Sequence, residues 1–173
     1  MENQTNSKSI ILNYGLYLGL ASVIIALIKY ATGNLYVQEY YSGIVGILLL
    51  IAFIVLGIKK YKSDNGGFIS FGQSVKIGIG LTMIATLIII AYYFLLSTFI
   101  EPDFAANSIE AQKVMLADSF GMTEGQIEEA TKNAGDNFSL NLFGGILIMN
   151  LFLGGITSLI AGAIMKKSEE ETY

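Results

Sequence analysis

The chain has 173 residues, of which 53% are hydrophobic and only 14% charged, with a formal charge of −4. A soluble domain of this size leaves much of its surface in water and has no means of hiding that apolar share. Cys, His, Arg and Trp are all absent, which excludes disulfides, thiolate catalysis and Cys lipidation, removes the commonest acid–base group and metal ligand, and leaves no bidentate phosphate clamp, while the acidic balance excludes nucleic acid as a partner.

The first apolar run, about 10–28, carries no charge between Ile10 and Ile28. At roughly 1.5 Å rise per residue it crosses a hydrocarbon core of about 30 Å. It is longer than the apolar part of a cleaved signal peptide and is followed by Lys29-Tyr30, so it reads as a retained span. The second run, 42–58, is short but uninterrupted and stops at Lys59-Lys60. The third, 77–100, ends at Glu101-Pro102, where proline cannot continue the hydrogen-bond ladder. The fourth, 140–165, ends at Lys166-Lys167. Backbone amides in hydrocarbon need internal partners, so all four runs are predicted helices. A soluble bundle would need polar faces at helical period, and 44–56 and 84–90 offer none. The predicted fold is all-α: a single polytopic membrane four-helix bundle, 1–173, with a helical extracytoplasmic loop, 101–139, between helices three and four.

Lysine distribution orients the bundle. The two tails and the 59–76 loop carry seven lysines (Lys8, Lys59, Lys60, Lys62, Lys76, Lys166, Lys167), whereas the opposite side carries Lys29, Lys113 and Lys132. This predicts a multi-pass protein of the bacterial cytoplasmic (inner) membrane with both termini cytoplasmic. The 101–139 loop, with eight acids and two lysines, then faces outward. Tyr30, Tyr36, Tyr40, Tyr41, Tyr92, Tyr93, Phe99 and Phe138 form an outer aromatic belt, and Tyr61, Phe68 and Phe71 an inner one, as amphipathic rings settle at headgroup level.

In the inner loop, Asn65-Gly66-Gly67 signals a turn. Ser70 with Gln73 has capping-box spacing at the start of the third helix, and Phe68, Ile69 and Phe71 are expected to dip into the interface. The lysines of this loop serve as topology determinants, with anionic-lipid attraction as the sharper alternative. In the outer loop, Asn107 with Glu110 and Thr123 with Gln126 have the same capping spacing, predicting two short helices closed by Gly121 and Gly135. Ile109, Met115, Leu116, Phe120, Met122 and Ile127 are expected to form one apolar surface, which packs the pair together in the commonest outcome and otherwise lies on the membrane or receives a partner.

The run Gly66-Gly67-Phe68-Ile69-Ser70-Phe71-Gly72-Gln73, followed by a span that exits through Phe99-Ile100-Glu101-Pro102-Asp103, resembles domain-of-unknown-function family 4199 (DUF4199). The likeness covers nearly the whole chain. It implies a small four-span membrane protein of a group found mainly in Bacteroidetes, and it brings no established activity and no catalytic residue to carry over.

Candidate chemistry is sparse. Glu124 and Glu128 lie on one helical face with Glu129 beside them, but no calcium-loop spacing accompanies them, so they read as a solvated acidic face, and Glu169-Glu170-Glu171 as a solvated tail. No ionisable residue lies inside a span away from its ends, unlike most ion-coupled transporters. Asn150 lies deepest and is expected to bond another helix, through Thr82 or Thr86, or a second protomer. The helix-packing candidates are Gly15 and Gly19 (GxxxG), Asn150, and the small-residue ridge Gly154, Ser158 and Gly162, serving intramolecular packing or homodimerisation.

No catalytic, cofactor-binding or metal-binding residues are assigned, and no cofactor is expected. The functional expectation is a non-enzymatic accessory or scaffold component of the membrane. Its partners are the lipid bilayer and a second copy, or another membrane protein met through the outer loop. A small oligomeric transporter or channel is the alternative. An interfacial membrane enzyme built on Glu101, Asp103 and Asp136 ranks third.

Overall fold

The computed structural model describes residues 6–37 and 40–167; the Glu169–Glu171 tail lies outside them, as does the Tyr40 side chain. The four apolar runs form four long helices: α1 (Ser7–Ala31), α2 (Tyr40–Asp64), α3 (Phe71–Leu95) and α6 (Phe138–Met165). Each is long and apolar enough to cross a membrane. The span between α3 and α6 is filled by two shorter helices, α4 (Phe104–Phe120) and α5 (Glu124–Thr131).

The helices outrun the apolar stretches because hydropathy does not register caps and interfacial turns. α2 continues through Lys59, Lys60 and Lys62 to Asp64, where Lys60 and Asp64 close an i,i+4 pair at 2.8 Å. α3 opens at Phe71 because the Ser70 hydroxyl accepts the Gln73 amide at 3.2 Å, satisfying one orphan donor of the first turn. The expected capping box is only half formed. The Gln73 side chain does not return to Ser70 but donates to the Tyr61 hydroxyl at 2.6 Å. Beyond α3 the helix widens into one π turn, Leu96–Ile100, closed by the Glu101 amide donating to Leu96 O at 2.8 Å. Leu96 is buried there, and Pro102 bars further propagation.

α3 is the centre of the bundle, packed by α1 on one side and α6 on the other. Small residues make both approaches close. A Cβ on Gly15 would lie 2.7 Å from Ile84 Cβ, and one on Gly19 2.9 Å from Ile88 Cβ, so α1 seats its GxxxG face on α3. On the other side Gly154 faces Thr82, Ser158 faces Gly78, and Gly162 faces Ser74 and Phe71. The ridge on α6 therefore meets small and hydroxyl residues of α3 within the same chain. α2 completes the core through Leu50, Ile54, Ile58 and Tyr61, packed with Ile77 and Leu81 of α3. Its other end splays away, leaving Ile44 54% and Ile47 44% exposed. Outward-facing Leu48, Ile148 and Ile164 are similarly exposed, as expected where the surrounding solvent is lipid.

At the end carrying the 59–76 loop, the chain is fastened by a backbone latch. Gly66 and Gly67 take positive φ (64° and 89°), which turns the chain sharply after α2. Ile69 and Lys167 then exchange both backbone hydrogen bonds, at 3.1 and 2.9 Å, in an antiparallel bridge. Lys62 Nζ donates to Met165 O at 2.8 Å, and the Lys167 ammonium stands 5.3 Å over the Phe68 ring. Ile69 is thus not an interfacial residue: it is 1% exposed, in the core beside Tyr61. The expectation for Phe71 fits better, since its side chain remains exposed.

At the opposite end, α4 begins at Phe104 with Asp103 in the N-cap position, so Asn107 lies inside the helix and is not its cap. Pro102 sets this start, since a helix readily opens just after proline. α4 ends at Gly121, φ 62°, whose amide donates to Ala117 O at 3.0 Å. α5 opens on the predicted box, with Gln126 Oε1 accepting the Thr123 amide at 2.9 Å. It stops at Thr131, so Gly135 lies in the following turn and not at a helix C′ position.

Candidate functional site

The end of the bundle carrying α4 and α5 gathers most of the polar and aromatic groups that packing elsewhere does not use. Phe104 is the keystone. It is 4% exposed and lies among Tyr36 (6.0 Å between ring centroids), Tyr93 (5.9 Å) and Phe138 (5.9 Å), with Tyr92 stacked edge-on to Tyr93 at 5.2 Å. One side chain at the first turn of α4 thus joins the α1–α2 loop, α3 and the start of α6. Sequence reading placed Tyr36, Tyr92, Tyr93 and Phe138 in an aromatic belt and missed Phe104. The available signal was its position directly after Pro102-Asp103.

Three adjoining cavities start beneath this cluster. The first, about 290 Å³, lies between α1, the splayed part of α2, α3 and α6, with Ser22, Lys29, Thr82, Tyr92 and Asn150 on its wall. Most of these donors are satisfied by their own helices: Ser22 Oγ to Leu18 O (2.9 Å), Thr82 Oγ1 to Gly78 O (2.8 Å) and Asn150 Nδ2 to Ile146 O (2.9 Å). Asn150 therefore does not form the interhelical bond expected of it. An i−4 carbonyl on its own helix is the nearer acceptor. The Tyr92 hydroxyl on this wall is buried without a hydrogen-bond partner, so the site retains unmet polar capacity. Below the cavity the interior closes: Ile54, Ile58, Ile77 and Leu81 are fully buried and interlock.

The second cavity, about 240 Å³, shares Lys29, Ser42 and Gly43 with the first and adds Tyr36 and Ser108. Lys29 Nζ donates to Val37 O at 3.0 Å, which holds the ammonium at this junction. Burial pushes the Tyr36 phenol up from its usual 10.0, and the negative fields of Glu101 and Asp103 add to it; its hydroxyl is buried without a hydrogen-bond partner. The third is a groove of about 1160 Å³ between α2 and α4, walled by Ile44 and Ile47 on one side and Val114, Met115 and Phe120 on the other.

Other predicted features are scattered. Glu124, Glu128 and Glu129 are exposed on α5. Among the described residues no three acidic side chains converge at metal-binding range, so Glu101, Asp103 and Asp136 do not form a carboxylate centre of that kind. Of the expected apolar surface, Ile109, Met115, Leu116, Met122 and Ile127 are half-buried between or beside α4 and α5, while Phe120 is 67% exposed and turned away.

Four apolar helices of spanning length around a small-residue core, with a helical excursion between the last two, define a multi-pass membrane helical bundle. The chain belongs to the family described as "Protein of unknown function (DUF4199)", whose sequence model matches residues 13–167, nearly the whole chain. No curated protein and no solved structure matches it.

Proposed function

We propose that the protein is a non-enzymatic accessory or scaffold component of the cytoplasmic membrane, with both termini inside, presenting the α4–α5 hairpin outward to a membrane-protein partner. One observation carries this reading. The hairpin is a folded unit with its own cap, turn and internal packing, and among the described helices α4 packs chiefly on α5 and on the π turn before it, with Phe104 as its one buried side chain. Helix–helix connections in bundles commonly take only about 2–8 residues, so a segment needed only to connect two spans would be shorter, and connecting segments are where function concentrates. The lysine distribution supports the outward placement.

The transporter reading draws on the polar-walled cavity beside Asn150. It gains little, because the fully buried Ile54, Ile58, Ile77 and Leu81 stand between that cavity and the other face. The test is complementation of a deletion strain. Loss of function on removing 107–134, with a Glu101/Asp103/Asp136 triple alanine variant still active, is the expected pattern. The reverse pattern at normal protein abundance refutes the docking role and favours an interfacial site.

A further inference from the structure

The junction where the three cavities meet has the features of an amphiphile site, and this holds whether or not the hairpin docks a protein. The α2 wall of the groove, Ile44 and Ile47, belongs to a helix long and apolar enough to cross a membrane, which puts an apolar wall of the groove within reach of lipid chains. Its lining is mostly apolar, along Ile44, Ile47, Val114 and Phe120, with the carboxylates of Glu110 and Asp118 along its α4 rim, and it turns more polar at the end nearest Tyr36. There the neighbouring cavity, which shares Tyr36, Val37, Gly43 and Ala111 with the groove, presents Lys29, Ser42 and Ser108. An apolar trough leading to a small polar chamber matches an acyl chain joined to a headgroup.

The charges at the polar end are of both signs. Lys29 supplies a cation on the α1 side, fixed by its bond to Val37 O, and no described carboxylate lies within ion-pair distance of it. The α4 side is acidic: Glu110 lines the groove and has only a loose, exposed contact with Lys113 at 3.4 Å, and Glu101 and Asp103 act on the Tyr36 hydroxyl. A purely anionic headgroup would meet Lys29 favourably but face this acidic wall. A headgroup with a phosphate and a terminal primary ammonium meets both.

We propose that this junction binds a membrane phospholipid of the phosphoethanolamine type, its phosphate held by Lys29 with the hydroxyls around it, its ammonium directed to Glu110 on α4, and one acyl chain lying in the groove between α2 and α4. A quaternary ammonium would lack the N–H donors for the carboxylate, and a glycerol headgroup would lack the cation.

The test uses the full-length protein in mild detergent. Binding of phosphatidylethanolamine, phosphatidylcholine and phosphatidylglycerol with identical acyl chains is read by native mass spectrometry and by the shift in unfolding temperature. The ethanolamine lipid should bind about fivefold better than either of the others; all three carry the phosphate, so the difference is the size expected from one charge–charge contact near a membrane surface, the primary ammonium on Glu110. Lys29→Gln should weaken all three lipids by about that factor, since each presents a phosphate, and Lys29→Arg should retain them. Glu110→Gln should reduce the ethanolamine lipid alone. Val114→Trp, which fills the exposed groove, should weaken all three, and Lys132→Gln, on the hairpin surface, should change none. Equal binding of the three lipids, a preference for phosphatidylglycerol, or an equal response of Lys29→Gln and Lys132→Gln would overturn the proposal. So would equal stabilisation by glycerophosphoethanolamine, which has no acyl chains and would mark a site for a soluble headgroup.

Discussion

Adjacent glycines on α6 should respond to the same substitution with opposite sign. A Cβ on Gly154 would lie 2.5 Å from Thr82 Oγ1, 2.7 Å from its Cγ2 and 3.0 Å from its Cβ, closer than packed carbon atoms approach. Thr82 has little freedom to yield, since it is 1% exposed and its hydroxyl is bound to Gly78 O. Gly154→Ala must therefore push α6 from α3, an overpacking cost of about 1–3 kcal/mol. Contact with three Thr82 atoms places it toward the upper end. Set against this is a gain of about 0.5–1 kcal/mol from replacing a helical glycine by alanine, so the net loss is about 2 kcal/mol. A Cβ on Gly155 meets nothing within 4 Å, so Gly155→Ala should retain only the gain. Unfolding curves in mild detergent for the two variants measure the contrast. Thr82→Ala, which removes Oγ1 and Cγ2, should restore much of the loss in the Gly154→Ala background, with a coupling well above the roughly 0.5 kcal/mol scatter of independent sites. Equal stability of the two alanine variants, or additivity of Gly154→Ala with Thr82→Ala, would refute the account of how α6 meets α3.

Asn150→Leu should change stability by less than about 1 kcal/mol, because the amide bonds its own helix; a larger loss in the same unfolding assay would mean an interhelical or interprotomer bond. Phe104→Ala should cost about 3–5 kcal/mol locally and free the hairpin, seen as rapid proteolysis within α4 and α5 while the four spans remain protected. Gln73→Ala should cost about 0.5–1.5 kcal/mol, because it removes the part-buried bond to Tyr61, and should raise amide hydrogen exchange at Ile69 and Lys167. Unchanged exchange there would separate that bond from the latch.

The spans were legible because hydrocarbon imposes a length and a composition, and each apolar run became a helix. Their ends were less legible, since α2 extends through charged Lys59 to Asp64, where an ion pair and a glycine turn decide the stop. Capping spacing succeeded at Thr123, failed at Asn107 and half succeeded at Ser70, because a proline and a tyrosine hydroxyl competed for the same local geometry. The glycine ridges announced close approach but not the partner; only the fold shows both meeting α3. The backbone bridge between Ile69 and Lys167 left no trace in residue type, since main-chain pairing requires none. The cavities depend on the splay of α2, a tertiary property that no window of residues encodes.

In the proposed topology the α4–α5 hairpin stands outside the cell and the latch inside. The chain has no native Cys, so single cysteines at Ser119 and Ser63, both exposed, can be labelled without background. A membrane-impermeant maleimide applied to intact cells should label Ser119→Cys and spare Ser63→Cys until the membrane is permeabilised; labelling of Ser63→Cys alone in intact cells would invert the topology and contradict the account.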